Sequence, residues 1–145
     1  ERRNFRPQDF AQFQPGGELG RRLLTTAGDV MRTEEMPVIT PEMHLGDASI
    51  HVSKGKPGLG IAEKNGEVAG LITDGDIRRA MEKWKAQFFD KTVADIMTTH
   101  PKTVGMDTKI SQVQNIMNRY KIHSVLVTDK NNRLLGVVDH YSCMI

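Results

Sequence analysis

The residues best suited to chemistry stand together in the segment Thr73-Asp74-Gly75-Asp76. An apolar run precedes it and a stretch with helical periodicity follows, so backbone N–H groups and the positive end of a helix would face outward and attract anions. A Thr hydroxyl there can donate to a phosphate, and a carboxylate three residues later can accept both hydroxyls of a sugar diol. Alternatively, Thr73 or Asp74 caps the helix and Asp76 only favours its dipole. Both roles can coexist.

Two arginines, Arg78 and Arg79, follow within the first turns of the same predicted helix. A guanidinium in this place could reach back and hold a phosphate through two parallel hydrogen bonds. A solvated helix face or an interfacial salt bridge explains the pair equally well.

Other kinds of site have little support. A single cysteine excludes a disulfide and a cysteine-based metal site, and no serine is framed by a nucleophile-elbow signature. No two histidines bracket a carboxylate at the i, i+4 spacing of a metal-binding helix. We therefore expect no catalytic residue, no metal and no required cofactor. The five histidines are His44, His51, His100, His123 and His140.

The composition and charge of the chain indicate its cellular location and the kinds of partner it has. The formal charge is +2 and the basic residues occur in short pairs, without the concentrated basic face and stacking aromatics of a nucleic-acid-binding protein. No apolar run approaches the roughly 20 residues that span a bilayer. Together with the single cysteine, these features predict a cytoplasmic protein without nucleic-acid or membrane partners.

The chain contains an internal repeat. Asp29-Val30-Met31 recurs as Asp95-Ile96-Met97, and Gly70-Leu71-Ile72 recurs as Gly136-Val137-Val138, both 66 residues later. Such ordered recurrence at one offset indicates two copies of one supersecondary unit.

Each unit reads as β-α-β-β-α. A short extended stretch leads to an amphipathic helix that opens near Pro41 or Asp107, with Asp107 as a candidate N-cap. Two β-branched runs then flank a polar turn, which is a hairpin signal, and Asn65-Gly66 supplies the turn in the first unit.

On these residues the chain resembles a tandem CBS pair over residues 27–145. Its closing Gly-φ-φ-Thr-x-x-Asp signature, where φ is apolar, matches residues 70–76. Residues 1–26 are similar to the junction that precedes the CBS pair in arabinose-5-phosphate isomerases of the KpsF/GutQ family. That family usually has a catalytic His where this chain has Gln14, a departure that bears on the isomerase competence of the full-length protein.

The resemblance implies an α/β fold in which CBS motif 1 (27–90) and CBS motif 2 (91–145, with a short C-terminal helix) pack around a pseudo-twofold axis. Residues 1–26 would be a linker from an absent sugar-isomerase domain. A ligand cleft between the motifs would be built on the first unit, because Ser142 stands where the second unit would need a ribose-binding Asp. The expected ligand contacts are Thr73, Asp74, Asp76, Arg78, Pro37, Val38, Gly58, His100, His123 and Ser124.

The resemblance also implies a regulatory role. The module would sense a nucleotide or a nucleotide-sugar, either an adenine nucleotide or CMP-Kdo, for its own isomerase domain, and it would form a homodimer or higher homo-oligomer. The alternative is an oligomerisation scaffold without a functional ligand site.

Overall fold

The computed structural model describes residues 23–54 and 58–143. The first unit contains α1 (Ala27–Val30), β1 (Val38–Ile39), α2 (Leu45–Lys54), β2 (Leu59–Lys64), β3 (Glu67–Thr73) and α3 (Asp74–Trp84), followed by a 3₁₀ helix over Lys85–Asp90. The second contains α4 (Val93–Ile96), β4 (Thr98–Thr99), β5 (Thr103–Val104), α5 (Ile110–Tyr120), β6 (Ser124–Thr128), β7 (Leu134–Asp139) and a 3₁₀ turn over Tyr141–Cys143. The predicted β-α-β-β-α order is confirmed in the first unit. In the second, a 3₁₀ turn stands in the place of α3.

The strands form two sheets, ordered β1-β2-β3-β4 and β5-β6-β7. In each sheet the first strand pairs in parallel with the second, which forms an antiparallel hairpin with the third. The hairpin turn of the first unit lies at Asn65 and Gly66, both with positive φ, at 56° and 80°. Positive φ at both central residues is the geometry that an Asn-Gly pair favours, so this prediction is confirmed.

The two sheets pack face to face. Leu59 and Ile61 of β2 are buried in one cluster with Leu126 of β6 and Val137 of β7. Each such side chain contributes about 1.5–3 kcal/mol when it leaves water. The opposite face of each sheet is covered by the helices, which enclose a second and a third apolar cluster. This layering confirms the predicted packing of sheet against sheet.

The predicted helix starts at Pro41 and Asp107 are wrong. Helix α2 begins at Leu45, and α5 begins at Ile110 with Lys109 as its N-cap. The reason is tertiary, because carbonyls in the preceding loops serve the other unit. The carbonyl of Pro41 accepts from the N–H of Ala94, and the carbonyls of Met106 and Thr108 accept from the N–H groups at the start of α1.

The two units therefore exchange their opening segments, residues 27–32 and 93–99. Ala27 and Met31 pack into the apolar cluster of the second unit, while Val93 and Met97 pack into that of the first. Arg32 exchanges two backbone hydrogen bonds with Val137, at 2.8 and 3.0 Å. At the matching position of the repeat, β4 of the second unit pairs with β3 of the first. The division into 27–90 and 91–145 thus follows the chain and does not separate two bodies in space.

Glycine makes these exchanged contacts possible. A Cβ on Gly136 would lie 2.9 Å from the carbonyl oxygen of Arg32, and one on Gly70 would lie 2.5 Å from the sulfur of Met97. We expect Gly136→Ala to destabilise the fold by about 1–3 kcal/mol, because backbone cannot move aside, and Gly70→Ala to cost less. Urea unfolding of each variant measures the effect. Gly105→Ala is the matched control, since a Cβ there has nothing within 4 Å. Equal stability of all three variants would contradict the exchange.

Candidate functional site

The start of α3 is fixed by a reciprocal capping box. Thr73 Oγ1 accepts a hydrogen bond from the N–H of Asp76 at 3.1 Å, and Asp76 Oδ2 accepts from the N–H of Thr73 at 3.0 Å. The capping interpretation of Thr73 is confirmed, and Asp76 does more than favour the helix dipole. Because the box uses one lone pair of the Thr73 hydroxyl, that hydroxyl keeps its proton for another acceptor.

Arg79 completes the arrangement from one turn further along α3. Its Nη2 lies 2.6 Å from Asp76 Oδ1, so both oxygens of this carboxylate have partners. Arg78 is exposed on another face of α3, because adjacent helical residues point about 100° apart. Of the two arginines, Arg79 and not Arg78 lines the cavity described next, and ligand contact by Arg78 stays a prediction.

A cavity of about 650 Å³ opens beside this cap. That volume lies within the range of small-molecule sites, roughly 300–1,000 Å³. The first unit lines it with Gly58, Leu59, Leu71, Thr73, Asp74, Gly75, Asp76 and Arg79. The second unit lines it with Thr98, His100, Pro101, Lys102, Tyr120, Lys121, Ile122, His123 and Ser124.

Most of the predicted ligand contacts meet at this cavity. Those that line it are Gly58, Thr73, Asp74, Asp76, His100, His123 and Ser124. Pro37 and Val38 do not. Val38 begins β1 and Pro37 precedes it, and β1 lies at the opposite edge of the sheet from β4. The carbonyl of Pro37 accepts a hydrogen bond from the N–H of Ile61 in β2. Ligand contact itself stays a prediction for the residues that line the cavity.

Five cavity residues of the second unit were not predicted from the sequence, namely Thr98, Lys102, Tyr120, Lys121 and Ile122. Lys102 Nζ lies 4.1 Å from the centroid of the Tyr120 ring, a cation–π contact at the cavity wall. The signal was present, because both lysines are within two residues of predicted contacts in the chain. Their convergence depends on β4, whose pairing was not predicted.

Gly58 lines the cavity next to the start of α3. Its φ is +67°, and a Cβ on it would lie 2.6 Å from Asp74 Oδ2. Its carbonyl accepts from the N–H of Asp74 at 3.0 Å. The absence of a side chain thus lets the backbone of Gly58 approach the first turn of α3 closely.

The equivalent place in the second unit is built differently. Asp139 and Ser142 reverse the order of the cap, with the N–H and hydroxyl of Ser142 both donating to Asp139 Oδ1. Arg32, at the position that matches Thr98, lies 3.8 Å from Asp139 Oδ2, and its Nε is buried without a hydrogen-bond partner among the described residues. A guanidinium therefore lies beside this cap, whereas Thr98, at the matching position, lines the cavity beside the cap of the first unit.

Within residues 23–54 and 58–143, no group of three or more His, Cys, Asp or Glu side chains could hold a metal ion. Nor does any helix in these ranges have the length and apolar character to cross a membrane.

Comparisons with known proteins agree with this architecture. The chain is 41% identical over 140 residues to a probable arabinose 5-phosphate isomerase of Haemophilus influenzae, a match that covers 97% of this chain and 41% of that protein. The chain thus spans less than half the length of this relative.

Solved structures share the fold. The CBS domain pair of protein MJ0100, crystallised with 5′-methylthioadenosine and S-adenosyl-L-methionine, superimposes with a TM-score of 0.74 at 24% identity, covering 83% of this chain and 94% of that one. CBSX2 in complex with AMP gives 0.73 at 22% identity, covering 83% and 93%. The CBS domain family model matches residues 27–83 and 93–144. The chain therefore belongs to the CBS domain family, as a tandem pair of CBS motifs.

Proposed function

We propose that this chain is a regulatory module that binds a nucleotide or nucleotide-sugar on behalf of an arabinose-5-phosphate isomerase domain. The observation that carries the proposal is the cavity beside the Thr73–Asp76 cap, which offers a hydroxyl donor, carboxylates and cations around one space. A nucleotide needs this combination, because its sugar hydroxyls donate to carboxylates while its phosphate accepts from cations. The proposed ligands are an adenine nucleotide and CMP-Kdo.

The solved neighbours support the ligand class. One CBS pair of the same fold was crystallised with 5′-methylthioadenosine and S-adenosyl-L-methionine, and another with AMP. Those ligands share an adenosine moiety, which has the ring, the ribose and the polar edge that a mixed polar and apolar cavity can hold. For this chain, Leu59, Leu71 and Ile122 supply the apolar part of the lining.

The isomerase half of the proposal comes from the relative in Haemophilus influenzae, whose remaining length lies outside the match. Ligand binding at the CBS pair would change the activity of the attached domain, and substrate binding there would change ligand affinity by the same factor. Gln14, which stands where the isomerase family usually has a catalytic His, lies outside the described residues. We propose that the protein works in the cytoplasm.

Thermal shift tests a ligand role for Asp76. A ligand present at 100 times its Kd should stabilise the wild-type chain by about 2.7 kcal/mol, measured as a thermal shift with AMP, ATP, CMP and CMP-Kdo. Asp76→Ala should abolish the shift. Asp29→Ala is the matched control, because Asp29 forms the same capping box with Thr26 at α1, outside the cavity. Loss of the shift in both variants would attribute the effect to helix capping and contradict a ligand role for Asp76.

Regulation by the ligand can be measured as a change in the isomerase rate of the full-length protein. The full-length protein should interconvert ribulose 5-phosphate and arabinose 5-phosphate at a rate that changes when the ligand identified by thermal shift is added. Asp76→Ala in the full-length protein should make the rate independent of that ligand while leaving the basal rate close to wild type. A wild-type rate that is unchanged at saturating ligand would sink the regulatory proposal, whatever the cavity binds.

A scaffold role has its own supporting observation. Phe89 is 64% exposed and lies over Gly46 of α2, and Ile50, one turn further along that helix, is 55% exposed. Met81, one of the apolar residues that recur at helical spacing in α3, is 44% exposed. Exposed apolar side chains on helices that pack together are typical of a protein interface. We propose that this face joins two copies in a homodimer.

We expect size-exclusion chromatography with light scattering to show a dimer of the wild-type chain. Phe89→Glu and Ile50→Glu should each shift it toward monomer, because a charge would be buried at the interface. Lys130→Glu, an exposed change in the turn between β6 and β7, should leave the dimer intact. A wild-type monomer at high concentration would exclude the scaffold role.

A further inference from the structure

The two walls of the cavity differ in charge. Among its described lining residues, the first unit contributes the carboxylates of Asp74 and Asp76 and one cation, Arg79, which is already paired with Asp76 at 2.6 Å. The second unit contributes the two cations Lys102 and Lys121, and its described lining residues include no carboxylate. A ligand in this space therefore meets a hydroxyl-binding wall on one side and an anion-binding wall on the other.

The helix start is a poor place for a phosphate in this chain. The N–H of Asp76 is taken by Thr73 Oγ1, and the N–H of Asp74 is taken by the carbonyl of Gly58. Both residues also place a negative charge in the first turn of α3, where it repels a bound anion. A ligand with several negative groups thus gains most by directing them across the cavity.

The opposite wall is arranged to receive them. Lys102 is oriented by its cation–π contact with Tyr120, at 4.1 Å. Lys121 sits in the left-handed region at φ 55°, and its N–H donates to the carbonyl of Met117 at the end of α5. The Lys102 side chain, which is already oriented, loses less conformational entropy when an anion binds, and the backbone that carries Lys121 is fixed by the end of α5.

We propose that Lys102 and Lys121 bind a second anionic group of the ligand and so set its chemical class. The ligand is a nucleotide with at least two negatively charged groups, either a nucleoside di- or triphosphate or a nucleotide joined to an acidic sugar. This inference rests on the proposed function and goes beyond it, because it assigns selectivity to residues of the second unit that lie outside the Thr-x-x-Asp cap.

The experiment is isothermal titration calorimetry without magnesium, using AMP, ADP and ATP, then CMP, CDP and CTP, and then CMP-Kdo. In the wild-type chain the ligand with a second anionic group should bind at least about tenfold more tightly than the monophosphate, the effect of one charge-assisted hydrogen bond. Lys102→Gln and Lys121→Gln should each reduce this preference, and the double variant should abolish it. Lys130→Gln, on the exposed hairpin loop away from the cavity, should retain it.

Each result has one meaning. A preference for ADP or CDP over the monophosphate that the lysine variants lose supports the proposal and identifies a polyphosphate. The same result with CMP-Kdo supports it and identifies an acidic sugar. Equal affinity for mono- and diphosphates and for CMP-Kdo overturns the inference but leaves the proposed function standing, and a preference that survives in the double variant overturns the assignment to these lysines. Absence of binding by every nucleotide overturns both.

Discussion

The pairing of β4 with β3 is the constraint on which the rest of the structure depends. Leu71 lies opposite Thr98 and Gly70 opposite Thr99, so the chain that opens the second unit is bound to the last strand of the first. Strand β3 ends at Thr73, which is also the N-cap of α3. The hydrogen bonds of β3 with β4 therefore bring the residues after β4 and the capping box to one place, and the cavity between them belongs to both units.

This shared construction bears on the proposed regulation of an attached domain. A molecule that contacts Asp76 on one side and Lys102 on the other would connect two units whose opening segments are exchanged. Because each segment packs into the core of the other unit, neither unit can shift without disturbing both apolar clusters. Closely packed cores respond to such disturbance by moving between discrete arrangements, and this gives a physical route for coupling.

The pseudo-symmetry of the backbone is broken by side chains. Where the first unit has Thr73 and Asp76, the second has Asp139 and Ser142, and hydrogen bonding still closes the turn with donor and acceptor reversed. Arg32 forms an ion pair with Asp139, whereas its counterpart Thr98 lines the cavity. The same position of the repeat thus contributes to an ion pair in the second unit's cap and to the cavity wall in the first.

Local sequence determined the elements of the chain. The offset repeat, the Asn65-Gly66 turn and the Thr-x-x-Asp cap depend on residues close together in the chain, so their geometry follows from propensity and spacing. What lies across the cavity was decided by tertiary structure. The helix starts near Pro41 and Asp107 were lost because loop carbonyls serve the other unit, and Arg79 rather than Arg78 faces the cavity because of how α3 packs. Lys102, Tyr120 and Lys121 meet the cap only because β4 pairs with β3, and no local pattern encodes the contact of two segments so far apart in the chain.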